Sequence, residues 1–182
     1  MSESLAGQLL LASPSLLDPN FARTVVLVGV HSHDGAMGVV LNRPSEVTIG
    51  DAAPLLGDAV GELEPVFVGG PVQSTSIVFL AEFLDPEPAG LLVLGRIGFP
   101  APDAGIEDLV RSTARRRVFA GYAGWGAGQL EAEIAGGDWI AHAAQPQDVF
   151  CEEPEDLWSA VLTRKGGSYA LIARMPLDPS VN

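Results

Sequence analysis

Hydrophobic positions along this chain fall into short blocks punctuated by glycine, proline and acidic residues. Gln8–Ala12 is an apolar run too short for a helix and reads as a strand. Ser13-Pro14 breaks it, and Asp18-Pro19-Asn20 is turn chemistry. Thr24–Val30 is rich in valine, as a buried strand would be. Asp34-Gly35 is a hairpin-turn dipeptide, which predicts that Ala36–Leu41 returns antiparallel to that strand. Asn42-Arg43-Pro44 ends the pair, because proline has no N–H to give to a ladder. Val66–Val68, Ile77–Phe83 and Leu91–Ile97 are further predicted strands, the last two joined by the turn Asp85-Pro86-Glu87-Pro88-Ala89-Gly90.

Helical periodicity is confined to short stretches between these strands. Thr48-x-x-Asp51 resembles a capping box and predicts a helix to about Leu56. Asp103 is positioned to cap a helix running through Thr113, with Ile106, Leu109 and Val110 on one face. Arg117–Tyr122 reads as a strand, followed by a glycine-rich loop and a helix Gly128–Ala135 that Gly136-Gly137 ends. Trp139–His142 is a short strand. Pro154–Leu162 is the final predicted helix, acidic at its start (Glu155, Asp156), basic at its end (Arg164, Lys165) and stopped by Gly166-Gly167. Ser168–Met175 is predicted extended, and residues 1–6 and 176–182 are expected to be frayed ends. Strands and helices are intermixed, but a hairpin opens the chain and no long βαβ series follows. The expected class is therefore α+β, one domain over residues 1–182 with a mostly antiparallel or mixed sheet.

Composition narrows the setting. A chain of 182 residues that is 47% hydrophobic can bury a real core without staples. No apolar run approaches the ~20 residues needed to span a bilayer. The opening Met1-Ser2-Glu3-Ser4-Leu5 lacks the basic region of a signal peptide, and the single cysteine, Cys151, forbids an intrachain disulfide; the expected compartment is the cytoplasm. Asp and Glu number 23 against 10 Lys and Arg, a net charge of −13 that argues against direct nucleic-acid binding and against an anionic membrane surface. The basic run Arg115-Arg116-Arg117, with Arg111 a turn earlier, is too narrow for a nucleic-acid footprint and reads as a solvated or ion-paired helix end.

Candidate chemistry is sparse. Gly124-x-Gly126-x-Gly128 before a helix has the context of an anion site, but it lacks the dinucleotide fingerprint and the phosphate-loop Lys-Ser/Thr, and Glu131 and Glu133 would oppose a phosphate. The conformational reading is a turn that lets Trp125 fold into the core. Gly69-Gly70-Pro71 reads either as a strand-ending turn or as a pocket wall facing that segment. A cleft between them would be lined by Asn42, Arg43, Gly69, Gly70, Pro71, Tyr122, Gly124, Trp125, Gly126 and Gln129, with Arg43 as its anion contact. His31-x-His33-Asp34 is the best metal candidate, with Asp34 or the distant His142 as the third ligand, but the spacing is weak and no metal or cofactor is assigned. Cys151 precedes Glu152 and Glu153, whose charge would raise its pKa, and reads as inert. No nucleophile motif is present and no catalytic residue is named.

The combination Ala12-Ser-Pro-Ser-Leu-x-Asp-Pro-Asn-Phe21, Arg23-Thr-Val-Val26, His31, Gly35-Ala-Met-Gly38, Leu41-Asn-Arg-Pro44, Gly69-Gly-Pro-Val72 and Gly121-Tyr-Ala-Gly-Trp-Gly-x-Gly-Gln-Leu-Glu-x-Glu-Ile134 resembles the YqgE/AlgH family over about Gly7 to Trp158. The resemblance implies a bent sheet closing into a pseudo-barrel with short flanking helices, in a bacterial cytosolic protein of unestablished biochemistry. Some members carry the label of transcriptional regulator, and the family supplies no agreed catalytic residues. Many members resemble Glu-His at the end of the second strand. This chain has Val30-His31, so the neighbouring acid is missing and an acid–histidine dyad is not expected there.

Two functions follow as expectations. One is a non-enzymatic regulatory or binding protein working through protein contacts. The other is a small-ligand sensor or enzyme using the cleft between the glycine segments.

Overall fold

The computed structural model describes residues 3–176. Strands β1 (Gln8–Ala12), β2 (Val25–Ser32) and β3 (Gly35–Val40) form the opening antiparallel meander, with Leu9 opposite Leu27 and Val26 opposite Val40. Their alternation has two buried sides. Leu9, Leu11, Val25, Leu27, Val39 and Leu41 point into one apolar cluster, whereas Leu10, Ala12, Val26, Val28 and Val40 point into another. A strand buried on both faces reads as a continuous hydrophobic run, which is the pattern of Leu9–Leu11 and Val25–Val28.

Beyond Asn42-Arg43 the chain forms a short edge strand β4 (Pro44–Thr48), then α1 (Ile49–Ala52) and α2 (Pro54–Val60). The Thr48 hydroxyl accepts the Asp51 N–H, as the capping pattern predicts. The predicted single helix is interrupted at Ala53, because the residue before a proline is driven out of the helical region. Strand β5 (Pro65–Val68) pairs with β4 and lies parallel to β9 (Thr113–Gly126).

Strand β6 (Val72–Phe83) runs antiparallel to β9. The predicted strand Leu91–Ile97 is instead a hairpin of β7 (Ala89–Leu94) and β8 (Ile97–Pro100), turned at Gly95 with φ 57° and Arg96. The helix after it, α3 (Ile106–Ser112), starts from Gly105 and not from Asp103. The order across the sheet is β10-β1-β2-β3-β9-β6-β8-β7, where β10 is Trp139–Ala143.

Strand β9 ties the molecule together. Its first half pairs with β6 and β5 and its last residues with β3, so the sheet curls into a half-barrel. The interior gathers Leu9, Leu27, Leu80, Ile97 and Phe119 from five strands. It is closed by α6 (Leu157–Lys165), whose Leu157, Trp158, Val161 and Leu162 are buried in it. Helix α6 follows a 3-10 turn, Pro154–Asp156, so the predicted final helix begins one turn later than its proline. A short α5 (Pro146–Val149) precedes it, and α7 (Ser168–Ile172) follows the positive-φ pair Gly166-Gly167 where extended chain was predicted. Tyr169 and Ile172 pack against the interior cluster, and that burial overrides the weak local preference of the segment.

Of the ends predicted to fray, Leu5 is held by His31 and Met175–Pro176 by Arg23, which donates to both carbonyls at 2.6 Å. Residues 1–2 and 177–182 lie outside the described residues. No helix among the described residues is long and apolar enough to cross a membrane.

Candidate functional site

The glycine-rich segment is not a loop. Gly121–Gly126 is the end of β9, and only Ala127-Gly128 turns before α4 (Gln129–Ala135), with Gly128 in the left-handed region at φ 71°. The other glycine pair lies directly against it. Gly69 N–H donates to the Ala120 carbonyl and Val72 pairs with Tyr122, both across to β9. A methyl group at Gly69 would collide with the Gly121 carbonyl, and one at Gly70 with the Tyr122 backbone. The two segments therefore meet as backbone against backbone, which is why neither carries side chains at those positions.

The polar residues expected to line a cleft there are hydrogen-bonded within the chain, Gln129 on the surface and Asn42 and Arg43 partly buried. Asn42 Oδ1 accepts the Val25 N–H and its amide donates to the Arg23 carbonyl, each at 2.9 Å. The Arg43 guanidinium donates to the carbonyls of Pro19, Asn20 and Ala22, clamping the loop before β2, and burial pulls its pKa down. Tyr122 packs against the interior cluster. Pro71 is exposed at the turn into β6. Gly124 and Gly126 pair with Met37 and Gly35 of β3. Gln129 accepts the Gly126 N–H at 3.0 Å and donates to Glu133 at 2.8 Å.

Helix α4 organises this region through two carboxylates. Glu133 Oε2 accepts both indole N–H groups, from Trp125 and Trp139, at 2.9 Å each. The two rings stand edge to face with centroids 6.0 Å apart, and Phe21 stands edge-on to Trp139 at 5.6 Å. Two residues earlier on the same helix, Glu131 Oε1 lies 2.8 Å from His31 Nε2. The other ring nitrogen of His31, Nδ1, accepts the Leu5 N–H at 2.9 Å, so Nε2 carries the proton and donates to Glu131. The Glu131 carboxyl is held below the usual carboxylate range first by its own backbone N–H and next by His31. An acid–histidine dyad is thus present after all, the acid coming from α4 instead of from the residue beside His31.

His33 diverges from His31. It is exposed and lies 3.2 Å from Asp34. No group of three metal-ligating side chains comes together among the described residues. The thiol of Cys151 is pushed up by burial, which outweighs the opposing Arg117; burial, not Glu152 and Glu153, is the cause.

The arginine run belongs to strand β9, not to a helix end, and each member is used differently. Arg115 Nε donates to Glu82 Oε2 at 2.7 Å and its guanidinium lies over Phe150. Arg116 holds the Thr113 carbonyl and hydroxyl. Arg117 donates to the carbonyls of Val149 and Cys151 and lies 4.3 Å from the Phe67 ring centroid.

Two of the concavities elsewhere on the molecule flank α3. An acidic cleft of about 530 Å³ beside α3 is lined by Asp85, Glu87, Asp103, Asp108 and Arg111, with Arg111 paired to Asp108. A smaller groove of about 410 Å³ runs between α2 and α3. Neither was anticipated, since α2 and α3 are distant in sequence. The signal that could have found the groove is a second apolar spacing, Leu55/Ala59 and Ile106/Val110, beside the core-facing residues.

The AlgH-like family model matches residues 9–170, from β1 into α7. The chain belongs to the AlgH-like family. A UPF0301 protein of Streptomyces avermitilis is 44% identical over 98% of this chain and 96% of its own length. One from Mycobacterium tuberculosis is 40% identical over 97% of this chain and 90% of its own length. Among solved structures, a Corynebacterium diphtheriae protein superposes with a TM-score of 0.85 at 29% identity, covering 95% of this chain and 93% of that one. The AlgH protein of Pseudomonas aeruginosa superposes with a TM-score of 0.70 at 30% identity, covering 98% and 100%. The AlgH-like fold in this chain is the mixed α+β half-barrel described above, and its family is one of uncharacterised biochemistry.

Proposed function

We propose that this AlgH-like chain is a non-enzymatic cytosolic binding or regulatory protein that acts through contacts with other proteins. One observation carries the reading. The polar groups of the motifs that mark the family are committed internally: Asn42 to the β2 backbone, Arg43 to three loop carbonyls, Gln129 to Gly126, Glu131 to His31, and Glu133 to two tryptophans. Both ring nitrogens of His31 are occupied, by the Leu5 N–H and by Glu131, and only 5% of its side chain is exposed, so the ring that could relay a proton presents no free nitrogen to a substrate. Any regulation of transcription is then indirect, since a net charge of −13 repels duplex DNA.

The decisive test pairs two measurements on the full chain. A thermal-shift screen against metabolites and nucleotides should leave the melting temperature unchanged, where a ligand at a hundred times its Kd would add about 2.7 kcal/mol. Fluorescence anisotropy with duplex DNA at low salt should show no saturable binding. A metabolite that stabilises the wild type but not an Arg43 or Gln129 variant would refute the reading in favour of a sensor or enzyme.

A further inference from the structure

Helices α2 and α3 each carry more apolar surface than the core uses. In α2, Leu56 and Val60 pack on the cluster of Ile49, Val66 and Val118. Leu55 and Ala59 sit one residue earlier at the same four-residue spacing, on the flank turned to α3. In α3, Leu109 is buried against Ala81 and Phe83. Ile106 and Val110 form a second pair, again four apart, on the flank turned to α2. The two spare stripes line one groove. Leu55 is 84% exposed, Ile106 38% and Val110 37%, so the floor is wetted and its mouth carries a projecting leucine. Ala59 is itself buried, so the open apolar surface is Leu55 of α2 together with Ile106 and Val110 of α3, and apolar side chains grouped in this way on adjacent helices mark an interaction surface.

The rim selects the occupant. Asp58 and Glu107 are the charged residues of the groove, one from each helix. Neither belongs to an ion pair among the described residues, in contrast to Asp108, which Arg111 neutralises. The field of the whole chain has the same sign. A second copy of this chain would bring its own −13 against that rim, so self-association is disfavoured. A partner with apolar residues and flanking Lys or Arg satisfies both floor and rim. Each wall is a seven-residue helix. At 1.5 Å per residue the groove is about 10 Å long, room for two turns of a third helix. We propose that the α2–α3 groove seats a short basic amphipathic helix of a partner protein, read through apolar anchors at i and i+4 or i+3. This rests on the reading of the chain as a protein-contact module.

The probe is a synthetic amphipathic peptide of about fourteen residues containing only leucine and lysine at helical spacing, with a leucine–glutamate peptide of the same pattern as control. The isotope-labelled full chain is titrated with each and followed by amide NMR. The basic peptide should shift resonances of α2 and α3 and bind more weakly as salt rises, and the acidic one should leave them in place. Val110→Glu should weaken binding roughly tenfold or more, because the groove floor then holds an uncompensated charge. Leu55→Ser, at a solvent-facing position, should weaken it with no change in fold. The sign at Val110 separates docking from mere attraction, since a nonspecific cation gains from an added carboxylate. Unchanged or tighter binding by Val110→Glu, shifts mapping elsewhere on the acidic surface, or a dimer that Val110→Glu dissociates would each overturn the assignment. None of those results touches the non-enzymatic reading, which falls only to a bound metabolite or to turnover.

Discussion

His31 Nε2 lies 2.8 Å from Glu131 Oε1, although 100 positions separate them in the chain. The same imidazole accepts the Leu5 N–H through Nδ1, so one buried ring fastens the start of the chain, the end of β2 and the first turn of α4. Only 5% of the His31 side chain is exposed, which leaves the ring no water to replace either partner. His31→Ala should free the Leu5 amide. Hydrogen exchange at Leu5 should accelerate markedly while amides of β9 keep their protection, and equal exchange in both proteins would show that Leu5 is held by something else.

The Glu131 carboxyl is held low in the folded protein, so its contribution to stability has a definite sign. A depressed carboxylate pKa stabilises the fold above the unfolded value and loses that effect as pH falls through the folded one. Glu82, lowered by its hydrogen bond to Arg115, adds in the same direction. Glu131→Gln should therefore be less stable than the wild type above about pH 5, and the gap should close toward about pH 3. Urea midpoints across that range check this; a gap that widens on acidification contradicts the assignment.

Glu133 accepts two indole N–H groups on a single oxygen. Removing it leaves both donors without a partner beside the Phe21–Trp125–Trp139 cluster. Glu133→Ala should cost about 2–3 kcal/mol, discounted from two charge-assisted bonds because the carboxylate is partly exposed. Glu133→Gln keeps an acceptor and should cost less. Urea unfolding ranks the two, and tryptophan emission should shift to the red in the alanine variant. Equal stabilities would mean that aromatic contact alone holds the cluster.

Glycines of the family motif differ in what they do. Gly70→Ala drives a methyl into the Tyr122 backbone and should cost about 1–3 kcal/mol or prevent folding. Gly128→Ala meets no atom within 4 Å and carries only the strain of φ 71°. Its cost should be about 1 kcal/mol. A larger loss at Gly128 than at Gly70 would place the constraint in the turn and not in the strand contact.

Burial raises the Cys151 thiol pKa, so the thiolate population at neutral pH is small. Labelling with a thiol reagent should run at least about tenfold slower than for a free cysteine, and reach the free rate in denaturant. Labelling at the free rate in the native protein would contradict the burial.

Much of this architecture was legible along the chain. Valine-rich runs, the Asp34-Gly35 turn and the proline and glycine stops located β1, β2, β3 and α4, because those signals act over a few residues. The glycine-aromatic motif was legible as a backbone and side-chain device but misplaced as a loop. Its residues in β9 became a strand because β3 and β6 supply hydrogen-bond partners from elsewhere in the chain. The same holds for α7, made helical by burial against the interior, and for the β7–β8 hairpin, turned by a single left-handed glycine. Composition and family were legible without coordinates, whereas the acid–histidine dyad, not expected from Val30-His31, emerged only in the fold. Glu133 reaches tryptophans only eight and six positions away, whereas the partner of His31 and the open groove between α2 and α3 are products of long-range pairing. Sequence spacing carries no term for residues that meet only when the sheet curls.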